Sequence, residues 1–396
     1  MNAATDGAGK RRLSLIAVVS SMAVTSLIYG FSYPLLALIL ERQGVDDTVI
    51  GLNTAAQGLA VFAVAPIASR VITRLGPARL MVMSVALSLA LFLLLPVFPN
   101  VYAWFLIRFL LGSANAFLWI AGEVWVNEIA EERSRGRIVG LYSAALAGGF
   151  ALGPLVLAQS GSEGWLPFIL AASLIAVSAI PLLFAQSVAP VMHGKTSARL
   201  FMFLLLAPAA MLANFTAAAV DSVLITFLPL YAIDRGLMED LALYMIVAMG
   251  VGGIACQVPI GWLADHMDRR LLLAVSVFVV AVVFAALPLV AAAIPWNWLF
   301  MFVVGGILGS FYTLGLVLLG EQFRGADLAA STAVFSSMWG IGSIVGPPVA
   351  GAVMDLLPPH GLPIAVVGLL LIYLPFPIVS FMRRRKAGDE NDETGT

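Results

Sequence analysis

The chain has 396 residues, 61% of them hydrophobic and only 11% charged, with a net charge of −1. A soluble domain carries about 25% charged residues, so this chain lacks the polar surface to cover itself in water. The short polar connections leave no room for a soluble domain of ordinary size, and the charge balance adds nothing about partners.

A hydrocarbon core of ~30 Å needs ~20 apolar residues per helical crossing. Twelve such runs follow one another, centred near Ile28, Ala60, Ala90, Phe117, Leu146, Ala172, Ala217, Gly252, Val282, Leu308, Ile341 and Leu369. The predicted fold is therefore an all-α polytopic membrane protein. A β-barrel is excluded, because its strands would alternate apolar and polar residues.

The first run follows Lys10, Arg11 and Arg12, as a secretory signal would, but it continues through Tyr33 and Pro34 to Leu40 and reads as a crossing. Ser26, Tyr29, Ser32 and Tyr33 give it a polar stripe. The second crossing offers Asn53 and Gln57. The fourth is the most unusual, because its apolar run at 102–129 contains Arg108 and Glu123. At ~100° per residue, Arg108, Gly112, Asn115, Trp119 and Glu123 share a face about 100° wide. The two charges lie ~22 Å apart along the axis. A charge at mid-membrane costs roughly 2.5–3.5 kcal/mol on insertion scales, so that face must meet water, substrate or an opposite charge. A buried structural ion pair is the competing reading.

The seventh crossing holds Asn214 and Asp221, seven residues apart and so on one face. The tenth holds Tyr312. Glu128 and Glu321 fall at helix ends, where pairing with loop arginines is expected. Cys256 is the only cysteine, so no intrachain disulfide is possible. His193, His266 and His360 lie in connections and suggest no metal site. No cofactor is expected.

Twelve crossings put both termini on one side. All but three of the 21 Lys and Arg residues then fall on that side; Arg42 and Arg235 lie opposite and Arg108 lies within the membrane. The positive-inside bias makes the termini cytoplasmic.

The chain also repeats itself. Laying 106–154 over 299–347 matches Phe109 with Phe302, Gly112 with Gly305, Gly122 with Gly315, Glu128 with Glu321, Gly149 with Gly342, Gly153 with Gly346 and Pro154 with Pro347. Trp119 falls on Tyr312. With an even number of crossings per half, the repeats are parallel. The expected organisation is an N-terminal six-helix bundle at 1–186, a central linker at 187–199, a C-terminal bundle at 200–385 and a disordered tail at 386–396.

Pro259, Gly261, Asp265, Arg269 and Arg270 follow the eighth crossing. Pro66, Ser69, Arg70, Thr73, Arg74, Gly76 and Arg79 follow the second. These stretches resemble the Gly-x-x-x-Asp-Arg-x-Gly-Arg-Arg signature of the major facilitator superfamily. The first copy has Ser69 and Thr73 where the signature has Gly and Asp. Arg108, Phe109, Gly112, Trp119 and Glu123, then Arg135, Gly136 and Arg137, then Pro259, Gly261 and Asp265 resemble the YcaD-like branch. The resemblance implies a bacterial inner-membrane carrier of small solutes and names no substrate. Gly140, Gly149, Gly153 and Pro154 are similar to the helix-5 motif of drug/proton antiporters, but Leu157 and Ala158 stand where its trailing glycine pair would be, and Gly342, Gly346 and Pro347 recur in the other half. Their presence in both halves points instead to gating, with Arg74, Gly76, Gly261, Asp265 and Arg269.

The functional expectation is a secondary transporter, not an enzyme, that works as a monomer by alternating access. Tyr29, Tyr33, Asn53, Gln57, Arg108, Asn115, Trp119, Asn214, Asp221 and Tyr312 are the expected cavity residues. Burial disfavours a carboxylate's charge and a nearby arginine favours it, so Glu123 and Asp221 are the candidates for proton coupling. Efflux is favoured over uptake, and nucleic acid is not an expected partner. A non-transporting receptor, a lipid-handling protein and an uncoupled facilitator on the same fold stay open.

Overall fold

A computed structural model of the chain describes residues 2–129, 135–185 and 206–394. The linker expected at 187–199 lies outside the described residues. Among the described residues the regular structure is entirely helical. The first half contains α1 (Asn2–Arg42), α2 (Asp47–Leu75), α3 (Pro77–Leu94), α4 (Val101–Ile129), α5 (Arg135–Ser160) and α6 (Leu166–Ala185). The second contains α7 (Pro208–Asp234), α8 (Glu239–Ala255), α9 (Gln257–His266), α10 (Arg269–Val290) and α11 (Trp296–Gln322). It ends with α12 (Gly325–Leu356), α13 (Gly361–Tyr373) and α14 (Pro375–Thr394).

Among the described residues eleven spans are long and apolar enough to cross a membrane, and α8 with α9 passes the same test as a twelfth bent by 44°. The bend was not expected from the apolar run, yet its cause is local. Pro259 has no N–H to donate to the carbonyl of Ala255, so the helical ladder is interrupted at Cys256. α2 and α3 are separated by one residue, Gly76, whose φ of 78° suits a glycine, with Pro77 at the first helical position. The helical backbone of α14 runs from the apolar turns at Pro375 into the charged tail, as far as Thr394.

The chain forms two compact units. The first takes in Met1–Gly44, Leu52–Thr196 and Glu239–Val247; the second takes in Val45–Gly51, Ser197–Met238 and Ala248–Thr396. In the first unit, α1 packs on α4, α5 and α6, while α3 packs on α4 and α6. In the second, α7 packs on α11, α12 and α13, while α10 packs on α11 and α13. These are the same neighbours at repeat-related positions.

The glycine motif makes close backbone contacts in both units. A Cβ added at Gly149 or Gly153 of α5 would overlap the backbone carbonyls of Ala23 and Leu27 in α1. One added at Gly342 or Gly346 of α12 would overlap those of Phe215 and Ala219 in α7. Glycine is needed here for backbone-to-backbone approach. α5 runs unbroken through Pro154, and α12 through Pro347.

Candidate functional site

In the first unit, α1, α2 and α4 assemble one side-chain column. Arg108 on α4 is fully buried (0% exposed). Its Nη1 donates to Asn53 Oδ1 of α2 at 3.1 Å and, more weakly, to Thr54 Oγ1 at 3.5 Å. The guanidinium carbon lies 5.2 Å from the ring centre of Tyr33 on α1, a cation–π distance. Gly112, one turn after Arg108, permits this meeting. A Cβ there would overlap the carbonyl of Gln57, so α4 and α2 touch backbone to backbone. The sequence marked Gly112 only as a member of the polar face, and its role becomes visible once the partner helix is known.

Arg108 has no carboxylate partner among the described residues. Its Nε and Nη2, with Asn53 Nδ2, are buried without hydrogen-bond partners among them. The column continues from Tyr33 to Tyr29, whose rings stack at 5.5 Å, and from Tyr29 to the edge of Trp119 at 6.2 Å. Trp119 Nε1 donates to Glu123 Oε1 at 3.0 Å, and Glu123 is exposed. Three aromatic rings thus connect the buried cation to the carboxylate at the far end of the same helix.

Beside this column lies a cavity of about 30 Å³, room for roughly one water. Gln57 and Asn115 line it with Thr25, Ser32, Ser88 and Ser178. Asn115 is thereby placed on a small polar pocket inside the unit, 3.5 Å from Ser88 Oγ.

In the second unit, Asn214 is fully buried and its Nδ2 donates to the Phe335 carbonyl at 2.6 Å; its Oδ1 has no partner among the described residues. Asp221, two turns on, is half-buried and makes no hydrogen bond or ion pair among the described residues. Tyr312 is 44% exposed and packs against Phe335 at 5.4 Å and Trp339 at 6.4 Å. It keeps the aromatic character of its repeat partner Trp119. The charges are not repeated: Met301 stands at the position of Arg108 and Leu316 at that of Glu123.

The loop motifs lie at helix ends. Arg74 and Asp265 are exposed, and Gly261 has open space around its Cα. Arg269 bonds to Glu321 and to the Ala264 carbonyl. The organising carboxylates are Asp268 and Glu321. Asp268 accepts from the amides of Arg270 (2.8 Å) and Leu271 (3.3 Å), capping α10, and pairs with Arg384 at 3.2 Å. Glu321 pairs with Arg269 and Arg270, as its position at a helix end suggested. Asp268 went unnoticed because the signature drew attention to Asp265. Its place immediately before α10, three residues before Leu271, was the available sign.

The sequence profile of the Major Facilitator Superfamily matches residues 15–314 and 210–396. The chain belongs to the major facilitator superfamily. Among its relatives, the MFS-type transporter YfkF of Bacillus subtilis, itself uncharacterized, is 25% identical over 356 residues, covering 87% of this chain and 89% of that one. The uncharacterized MFS-type transporter YcaD of Salmonella enteritidis is 26% identical over 284 residues, covering 71% and 73%. The superfamily member is thus of the YcaD-like branch. The nucleoside transporter NupG shares the fold at a TM-score of 0.72 and 16% identity, covering 94% of this chain and 98% of that one. A bacterial homolog of the human lysosomal transporter Spinster, inward-facing and unoccupied, aligns at 0.77 and 13% identity, covering 93% and 96%. This superfamily member is a multi-pass secondary transporter and not an enzyme.

Proposed function

We propose that this transporter moves a small organic solute across a bacterial inner membrane by proton-coupled alternating access, as a monomer with both termini in the cytoplasm and with export as the favoured direction. The observation that carries the reading is the column from Arg108 through Tyr33, Tyr29 and Trp119 to Glu123. A cation held without a carboxylate partner among the described residues, with two donors unused, is a costly arrangement in a membrane protein unless it serves the transported species. Asp221, half-buried and without a partner among the described residues, supplies a second intramembrane carboxylate. A carboxylate that exchanges between apolar and polar surroundings in the cycle gains and loses its proton accordingly.

The test is flux in proteoliposomes containing a pH-sensitive dye, with solutes first selected from a broad panel by thermal stabilisation. A ligand at ~100 times its Kd stabilises by about 2.7 kcal/mol when it binds only the folded state. Wild-type flux should depend on an imposed pH gradient, and Glu123→Gln or Asp221→Asn should abolish that dependence. Gradient dependence that survives both substitutions removes the proton role and leaves an uncoupled facilitator.

A further inference from the structure

At the end of the second unit that carries its arginines there is a cavity of about 570 Å³ that the transport site does not use. Its walls are of two kinds. Leu206, Phe376 and Val379 line it and are 53%, 38% and 44% exposed, as side chains facing lipid tails would be. Arg270, Arg383 and Arg384 line it as well. From this juxtaposition we infer a binding site for one anionic phospholipid, its phosphate held by the arginines and its acyl chains lying along Leu206, Phe376 and Val379.

Three independent features support the phosphate end. Arg270 is 8% exposed, and although its Nη1 lies 3.2 Å from Glu321, that buried nitrogen makes no hydrogen bond among the described residues. Its Nε is fixed by Ser380 Oγ at 3.2 Å, so the guanidinium is oriented rather than loose. Secondly, α7 starts at this cavity with no side-chain cap and with Pro208 at its first position. The amides of Ala209 and Ala210, which also line it, belong to the first turn, where N–H groups have no partner within the helix and favour an anion. Thirdly, the local charge is positive. Arg269, Arg270, Arg383 and Arg384 face two carboxylates, Asp268 and Glu321, and Arg383 makes no ion pair among the described residues.

The apolar walls select the source of the phosphate. A soluble phosphate gains nothing from Leu206, Phe376 and Val379, whereas a lipid places its headgroup at a basic helix end and its chains beside apolar surface. The site lies wholly within the second unit and stands apart from the proton-coupling reading.

The experiment is native mass spectrometry and thermal unfolding of the full chain in mixed micelles containing phosphatidylglycerol, phosphatidylcholine or neither. Phosphatidylglycerol should be retained and should raise the unfolding midpoint, and phosphatidylcholine should not. Arg383→Gln should weaken retention about fivefold; Arg270→Gln should weaken it further. Arg385→Gln, close in sequence but not lining the cavity, should leave it unchanged. Should Arg270→Gln fail to fold, the contrast between Arg383→Gln and Arg385→Gln decides alone. Equal retention of both lipids, or equal loss in Arg383→Gln and Arg385→Gln, overturns the site. Equal stabilisation by inorganic phosphate alone overturns the lipid assignment in favour of a soluble anion.

Discussion

Arg108 and Asn53 belong to different helices, yet they meet at 3.1 Å because Gly112 lets α4 lie directly on α2. Removing the cation tests what that meeting is for. At the repeat position the second unit carries Met301, fully buried, so this helix environment accepts methionine. Replacing a buried ion pair by apolar side chains of similar volume is often neutral or stabilising by about 1–4 kcal/mol, and Arg108 has no carboxylate partner among the described residues to leave behind. Arg108→Met should therefore keep or raise the unfolding midpoint while solute flux falls at least about tenfold, the loss of a contact worth roughly 1.4 kcal/mol. Arg108→Lys should also lose flux, since an ammonium lacks the planar fork and lies differently over Tyr33. A folded Arg108→Met with normal flux would reduce Arg108 to a structural residue.

The glycine contacts make an opposite prediction. Gly149→Ala and Gly342→Ala each place a Cβ on a backbone carbonyl, of Ala23 and Phe215 respectively, which no rotamer change relieves. Overpacking of this kind costs typically about 1–3 kcal/mol. Both variants should show reduced yield of monodisperse protein on size exclusion, and Gly261→Ala, with open space at that point, should not.

Trp119 and Glu123 are joined by an indole hydrogen bond of 3.0 Å. Trp119→Phe keeps an aromatic ring beside Tyr29 and removes the donor. A lost bond to a charged acceptor is worth about 1.5–3 kcal/mol, and less at an exposed carboxylate. Flux in proteoliposomes should fall several-fold in Trp119→Phe, and further in Trp119→Ala, which also loses the ring contact. Equal rates for the wild type and both variants would separate Trp119 from transport.

Two neighbouring aspartates distinguish the two readings of the loop after α9. Asp268 caps α10 and pairs with Arg384, so Asp268→Ala should destabilise the protein by about 1 kcal/mol or more. Asp265 is exposed, and Asp265→Ala should leave the unfolding midpoint within error. Differential scanning of the two variants under one lipid condition checks both.

Much of the architecture was legible in composition and spacing, because a bilayer imposes one rule on every crossing and the sequence obeys it twelve times. The repeat was legible too, since small residues that bring backbones together cannot be exchanged freely. The polar face of α4 followed from helical geometry. What a helical wheel cannot supply is the identity of the facing helix. Hence Asn53 and Tyr33 were recognised as polar stripes but not as the partners of Arg108. Asp268 was missed for a different reason: a cap is defined by the helix start, and the signature placed emphasis three residues too early. The break at Cys256 was hidden by uniform hydropathy, although Pro259 marked it.

The unused donors of Arg108 have a mechanical consequence. If α2 slid away from α4, the guanidinium would lose Asn53 and Thr54, and its Nη1 would join Nε and Nη2, which already lack hydrogen-bond partners among the described residues. If α1 moved, the ring of Tyr33 would leave the face of the cation. Arg108 thus touches α1, α2 and α4 at one point, and a motion that preserves these contacts moves the three helices together.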